Sequence, residues 1–239
     1  MNIEIKSPEE AELIKSLEKR TDAEAKRILR FLNMPDLSRD KASPLFELVS
    51  RILKIPRFAD FDKIQVPEIV SAEISFDLFN FPKNHPARGS SDTYFVDSGH
   101  ILRTHTTIMW HYYLNQEAVK EKIKNKLSVG SLSYGKVYRK DEIDRNHMNV
   151  FHQMDGWYLS PKAGKIIGIE ELKSVLTEIA RTIFGKDIKF RFNKDEFPYT
   201  DPSIEMEIEV NGRWVEVLGA GIAQPSVLEK LGVNSKTDG

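Results

Sequence analysis

From Ile204 the chain alternates apolar and acidic residues, with Ile204, Met206, Ile208 and Val210 separated by Glu205, Glu207 and Glu209. Asn211-Gly212 follows, and then a return through Trp214 to Leu218. A period of two sends one set of side chains into a core and the other into water, and Asn-Gly supplies the two left-handed positions of a tight hairpin. A hairpin solvated on one face is foreign to doubly wound parallel sheets, whose strands are covered on both faces. Neither a Walker A loop nor a GxGxxG fingerprint is present, so the usual nucleotide folds are not indicated. The expected class is α+β, an antiparallel sheet with flanking helices.

The helices carry local signals. Ser7-Pro8-Glu9-Glu10 gives a cap, a proline at the first helical position and an acid in the first turn, and Thr21-Asp22-Ala23-Glu24 repeats the cap and acid. Leu13, Ile14 and Leu17, then Ile28, Leu29 and Leu32, make faces thick enough to dock a helical hairpin but not to fold it alone. The N-terminal helical hairpin is therefore assigned to residues 1–35, with Met34-Pro35-Asp36 as the boundary, and the main domain to residues 36–239. A stronger amphipathic helix starts at Ser43-Pro44 and stops before Pro56; the cleanest runs through Leu172, Val175, Leu176, Ile179 and Ala180 and closes at Gly185. Residues 64–81 are rich in β-branched and aromatic side chains, and FPKNHPAR then enforces an extended turn through its two prolines. The Lys/Glu-rich 116–126 stretch reads as a solvated helix.

With 239 residues, 40% of them apolar, one substantial core is expected. Thirty-five basic residues against 36 acidic ones require any nucleic-acid contact to come from a local patch or another chain. The absence of cysteine excludes a disulfide framework and thiolate zinc, and fits a reducing compartment. The N-terminus has no apolar signal region and no run approaches a bilayer span, so a cytoplasmic protein without a membrane partner is expected. The six histidines lie between positions 85 and 152 without a paired-ligand spacing such as HExxH, so a histidine metal site is not expected.

The chemistry concentrates in Gly135–Gly156, which reads as strand, long polar loop, strand. Arg139 precedes Asp141 by two residues near the end of the first strand, and the loop carries His147. A strand-borne guanidinium is a rigid fork of donors suited to gripping phosphate, although an isolated Arg-x-Asp is more often a surface ion pair.

GKVYRKDEID with FHQMDG resembles motif 2 of the class II aminoacyl-tRNA synthetases. Around it stand, in order, FNFPKNHPAR with DTYF, ILRTHTT, FPYTDPSIE and WVEVLGAGIAQPSVL. Together these blocks resemble the α chains of phenylalanyl-tRNA synthetases over about residues 43–239. The resemblance implies activation of phenylalanine by ATP with Mg2+ and transfer of the aminoacyl group to tRNA. It also implies dimerisation through motif 1 and a β chain in an α2β2 tetramer. By position it implies Arg139 on the α-phosphate, Asp141 at the acid position, His147 near the phosphates and Phe151 on adenine. His105 and Thr107 would meet the amino acid's polar end, with Gln153 and Asp155 lining the pocket. Phe197 and Tyr199 would meet the phenylalanine ring edge to face, Gly219, Ala220 and Gly221 would form the floor, and Glu216 would be a magnesium ligand. Surface and core roles are the ordinary alternatives for Glu216 and for the aromatic pair.

Three positions depart from the pattern. Trp110 replaces a glutamine that helps hold the ammonium group, and Ser91 replaces a larger residue before DTYF, a change expected to make room for Trp110. The chain ends where motif 3, with its arginine, is expected to begin, so this chain alone is not expected to activate an amino acid. An incomplete synthetase, half of a split domain, and a non-catalytic paralog binding ATP or an amino acid as sensor or assembly partner all remain open.

Overall fold

The computed structural model describes residues 1–144, 147–164 and 167–239. The first strand, β1 (Asn2–Glu4), leads into α1 (Pro8–Glu18) and α2 (Ala23–Leu32), and α3 (Pro44–Leu53) follows. Ser7 caps α1 through Glu10 N, and Ser43 caps α3 through Leu45 N. Asp22 rather than Thr21 caps α2, its carboxylate accepting from Ala25 N at 3.0 Å. A carboxylate is the stronger acceptor at a helix start and also complements the dipole.

Residues 62–76 resolve into two short strands, β2 (Asp62–Gln65) and β3 (Ile69–Ser71), and a helix α4 (Ala72–Phe76). The proline-rich segment after them ends in a single 3-10 turn over Pro86–Arg88, capped by the His85 ring. Then come β4 (His100–Leu102), α5 (Met109–Leu114), α6 (Glu117–Lys124), and the long strands β5 (Val129–Tyr138) and β6 (Val150–Leu159). Helix α7 (Ile169–Phe184) ends at Gly185, whose φ of 98° only glycine adopts easily. The meander β7 (Phe190–Phe197), β8 (Thr200–Val210), β9 (Arg213–Ala223) and the short helix α8 (Pro225–Lys230) complete the described elements.

The α+β class holds, and β8–β9 turn on Asn211 and Gly212, both at positive φ. The β7-β8-β9 sheet is antiparallel throughout, as are the β3–β4 and β5–β6 pairs. The sheet of order β1-β2-β5-β6 is mixed, because β1, β2 and β5 run parallel. Parallel neighbours need long crossovers, and the helices between these strands supply them.

The main core gathers Phe76, Phe79, Ile101, Met109, Tyr113 and Trp157 between this sheet and helices α4 to α6. A second core joins Leu17, Ile28 and Phe31 of the N-terminal helices to Leu102, Tyr138 and Val150. Lys136, on β5 and almost wholly buried, reaches across this contact. Its ammonium donates to the carbonyls of Phe31, Leu32 and Met34 and lies 3.3 Å from Glu68. Lysine is suited to this place because the last carbonyls of a helix lack intrahelical donors.

Candidate active site

The β5–β6 ladder pairs ten residues without interruption from Val129↔Leu159 to Tyr138↔Val150. Arg139 stands one residue past its end. Its backbone N–H bonds to Asn149 O at 3.1 Å, and the Asn149 side chain donates to the carbonyls of Arg139 and Asp141. The loop is thereby pinned at its base. Nε of Arg139 donates to Thr104 O at 3.1 Å, and its guanidinium carbon lies 5.2 Å from the Phe151 ring centre. One amine is thus committed to backbone while the plane is steadied by an aromatic face.

Phe151, Gln153 and Asp155 alternate along β6 and share a face. That face meets the 103–107 segment, where Thr106 N–H donates to Gln153 Oε1 at 3.3 Å. Burial pushes the Asp155 carboxyl up to about 6, against the opposing help of the Thr107 hydroxyl and the Gly156 backbone. The Asp155 residue keeps some exposure, but its carboxyl group is enclosed. Thr107 also lies against Tyr199, whose phenol is pushed up to about 12, first by burial and then by the Asp155 charge. His105 is held neutral, its pKa lowered to about 4 by burial and by the nearby Arg139 charge, with the Ser75 backbone opposing only weakly.

An aromatic wall surrounds these groups. Phe79, wholly buried, meets His105, Trp110 and Tyr199 edge to face at 5.8, 5.6 and 5.8 Å. Phe81 stacks on His105 at 5.9 Å, and Tyr199 stacks on Phe197 at 5.9 Å. Trp110 is buried against Phe79, Trp157 and Tyr199. Ser91 is exposed and turns its hydroxyl to Asp92.

Gly219, Ala220 and Gly221 lie opposite Glu205, Ile204 and Ser203 of β8. A Cβ on Gly219 would come within 2.8 Å of the Phe197 ring, and one on Gly221 within 2.5 Å of Thr200. These glycines admit Phe197 and Thr200 against bare backbone, so the room they leave is taken by the protein's own side chains.

Glu216 faces Glu207 across the β8–β9 ladder and is exposed. Its pKa is raised by partial burial and by the carboxylates of Glu205, Asp195 and Glu207. Glu207 is paired with Arg191, and Asn193 donates to both Glu205 and Glu207. Among the described residues no group of three or more His, Asp or Glu is arranged to hold a metal. His147 is exposed in the β5–β6 loop, its ring against Asp144 at 2.9 Å, and Asp141 is half-buried just beyond Arg139.

Residues 31–239 match the family model for the tRNA synthetases class II core domain (F). The chain belongs to that class II tRNA synthetase family. The synthetase core is 38% identical over 170 residues to the phenylalanine–tRNA ligase alpha subunit of Prochlorococcus marinus (strain MIT 9312), covering 71% of this chain and 46% of that protein. Against the subunit of the same name from Nostoc punctiforme identity is 34% over 189 residues, covering 79% and 53%. Against that of Malacoplasma penetrans it is 32% over 210 residues, covering 82% and 59%. The chain spans about half the length of these curated relatives.

Of the residues singled out from the sequence, the synthetase core brings together Arg139 with Phe151, and His105, Thr107, Trp110, Gln153, Asp155, Phe197 and Tyr199 in one cluster of contacts. Glu216 stands instead beside Glu205 and Glu207 on the β8–β9 ladder, and His147 beside Asp144 in the β5–β6 loop. Sequence reading missed Phe79 and Phe81 as members of that cluster, although Phe-Asn-Phe before Pro82 in FNFPKNHPAR carried the signal. It also missed Arg103, fully buried and donating to the carbonyls of Lys136 and Val66, which fixes the strand from which the pocket segment departs.

Proposed function

We propose that this chain is an α-type chain of a phenylalanine–tRNA ligase, which activates phenylalanine with ATP and passes it to tRNA. The observation that carries the reading is the placement of Arg139, anchored through Nε and steadied on Phe151, beside the pocket of His105, Asp155 and Tyr199. Activation needs a carboxylate oxygen to attack the α-phosphorus while pyrophosphate leaves, so catalysis is mostly positioning and charge stabilisation. The terminal amines of Arg139 suit the α-phosphate oxygens, with adenine against Phe151. Asp141 shapes the base of the same loop, and His147 extends it toward the phosphate chain. Asp155, with Gln153 and Thr107, receives the ammonium group, whose charge restores ionisation of the enclosed carboxyl. A neutral His105 adds no charge to compete with Arg139. Phe197 and Tyr199 offer ring edges to the side chain over the Gly219-Ala220-Gly221 strand.

Magnesium, when bound, neutralises phosphate charge. Glu216 fits it as one free carboxylate among repelling neighbours, since Mg2+ is held by one or two carboxylates plus phosphate oxygens. The relatives are named alpha subunits, which supports a second kind of subunit as partner; dimerisation, tRNA binding shared between chains and a cytoplasmic setting belong to the same reading. One observation favours a second reading. The buried Trp110 occupies the position of an amide expected to hold the ammonium group, which suits a paralog that binds ATP or an amino acid without ligating it.

Amino-acid-dependent ATP–pyrophosphate exchange, on the chain alone and with a β chain, separates the two. Exchange with phenylalanine that falls by about 100-fold or more in Arg139→Ala supports the ligase. ATP binding without exchange for any amino acid, in either assembly, refutes it.

A further inference from the structure

The β5–β6 ladder ends at Tyr138↔Val150, so Arg139 stands where the ladder no longer holds the strand. Three consecutive amides are nonetheless held there by three different segments. Tyr138 N–H donates to Arg103 O at 3.0 Å, Arg139 N–H to Asn149 O at 3.1 Å, and Lys140 N–H to Asp92 O at 2.9 Å. Asn149 adds its side chain to this cradle, donating from Nδ2 to Arg139 O at 3.2 Å and to Asp141 O at 2.8 Å.

In an extended segment the carbonyls of residues two apart leave on the same side, and a primary amide carries two hydrogens, so one NH2 serves both. Aspartate of the same shape has no donor, and serine has one. The Cα of Arg139 thus lies between an N–H given to Asn149 and a C=O accepting from it. With both peptide planes held by one residue, the direction in which the Arg139 side chain leaves the backbone is fixed. Asn149 is also two residues before Phe151, whose ring centre lies 5.2 Å from the guanidinium carbon. One residue ties the arm that carries the guanidinium to the chain that carries its ring.

We infer that Asn149 is a positioning residue for Arg139, keeping the guanidinium aimed at the phosphate it grips. This rests on the reading that Arg139 binds the phosphates of ATP, and it deepens that reading by naming the residue through which the aim is kept. A planar fork of donors contributes most when it is preorganised, and an arm free to swing loses that advantage.

Asn149→Leu keeps the shape of the side chain and removes both donors. Calorimetric titration of the full chain with ATP is expected to give a Kd about fivefold weaker in Asn149→Leu and about tenfold or more weaker in Arg139→Ala, as for the loss of hydrogen bonds to a charged group. Binding of adenosine, which has no phosphates, is expected to be unchanged in Asn149→Leu. The double variant separates positioning from general support of the loop. A residue that acts through Arg139 has nothing left to position once the guanidinium is gone, so the double variant should bind ATP no more weakly than Arg139→Ala alone. Urea denaturation checks that the fold survives, and Asn149→Ser, smaller and with one donor, repeats the test with an intermediate loss should the leucine variant unfold. Native ATP affinity in Asn149→Leu, an equal loss for adenosine, or full multiplication of the two losses in the double variant overturns the inference and leaves the phosphate reading of Arg139 standing. Native ATP affinity in Arg139→Ala, or no binding of ATP by the unmutated chain, removes that reading and the inference with it.

Discussion

Replacing Asp155 by asparagine is expected to stabilise the unliganded chain at neutral pH, although it removes a group assigned to substrate. The carboxyl is raised from its ordinary 3.8 to about 6, chiefly by burial. The native state therefore holds a proton that the unfolded chain has already released between those two values. Stability contributed by this group is full below pH ~4, declines as pH rises toward 6, and stays low above it. A shift of about two units corresponds to ~3 kcal/mol, an upper figure because the asparagine must make its own bonds to Thr107 and Gly156. Urea denaturation of both proteins at half-unit steps from pH 4 to pH 8 measures the difference, in which the other carboxylates largely cancel. The variant and the native chain are expected to be nearly equal at pH 4, and the variant ahead by about 2–3 kcal/mol from pH 6.5 upward. A difference that is flat with pH, or that shrinks as pH rises, refutes the account of an enclosed carboxyl. In the same variant the Tyr199 phenol should titrate below its present value of about 12, because the Asp155 charge helps hold it there.

The glycines of β9 differ in what they rest on. Gly221→Ala drives a Cβ to 2.5 Å from Thr200 and 3.0 Å from Pro202 O, and is expected to cost about 2–3 kcal/mol of stability. Gly219→Ala meets only the Phe197 ring, which can swing aside, and is expected to cost about 1 kcal/mol; equal or reversed losses in urea denaturation would count against this ranking. Lys136→Met leaves three carbonyls without their donor and Glu68 without its partner. It should destabilise by about 2–4 kcal/mol, with faster amide exchange in α1 and α2, and unchanged exchange there would contradict the bridging role.

What could be read from the sequence was what the chain states locally. The β8–β9 hairpin shows in its period-two alternation and Asn211-Gly212, and helix α7 shows in its apolar spacing and Gly185. The parallel β1–β2–β5 set did not show, because strands of three or four residues carry too little alternation and their partners lie 60 residues or more away. The burial of Lys136 and Arg103 did not show either, since burial of a cation depends on carbonyls brought from other elements. At the site, the resemblance of FHQMDG to motif 2 pointed to Phe151, Gln153 and Asp155, which β6 carries on one face. Nothing in the spacing of Gly219 and Gly221 could reveal that Phe197 and Thr200 occupy the space they leave.

The ammonium of Lys136 has a consequence for how this protein can be handled. Three residues along the chain from it stands Arg139, and the carbonyls it holds belong to the end of the N-terminal helical pair. That pair acts as a splint on the arginine-bearing strand. Trimming the first 35 residues to obtain a minimal catalytic fragment would strip all three carbonyl contacts, those of Phe31, Leu32 and Met34. The strand that aims the guanidinium would then lose its outer support, so loss of activity in such a fragment would report on bracing rather than on any chemistry performed by the helices.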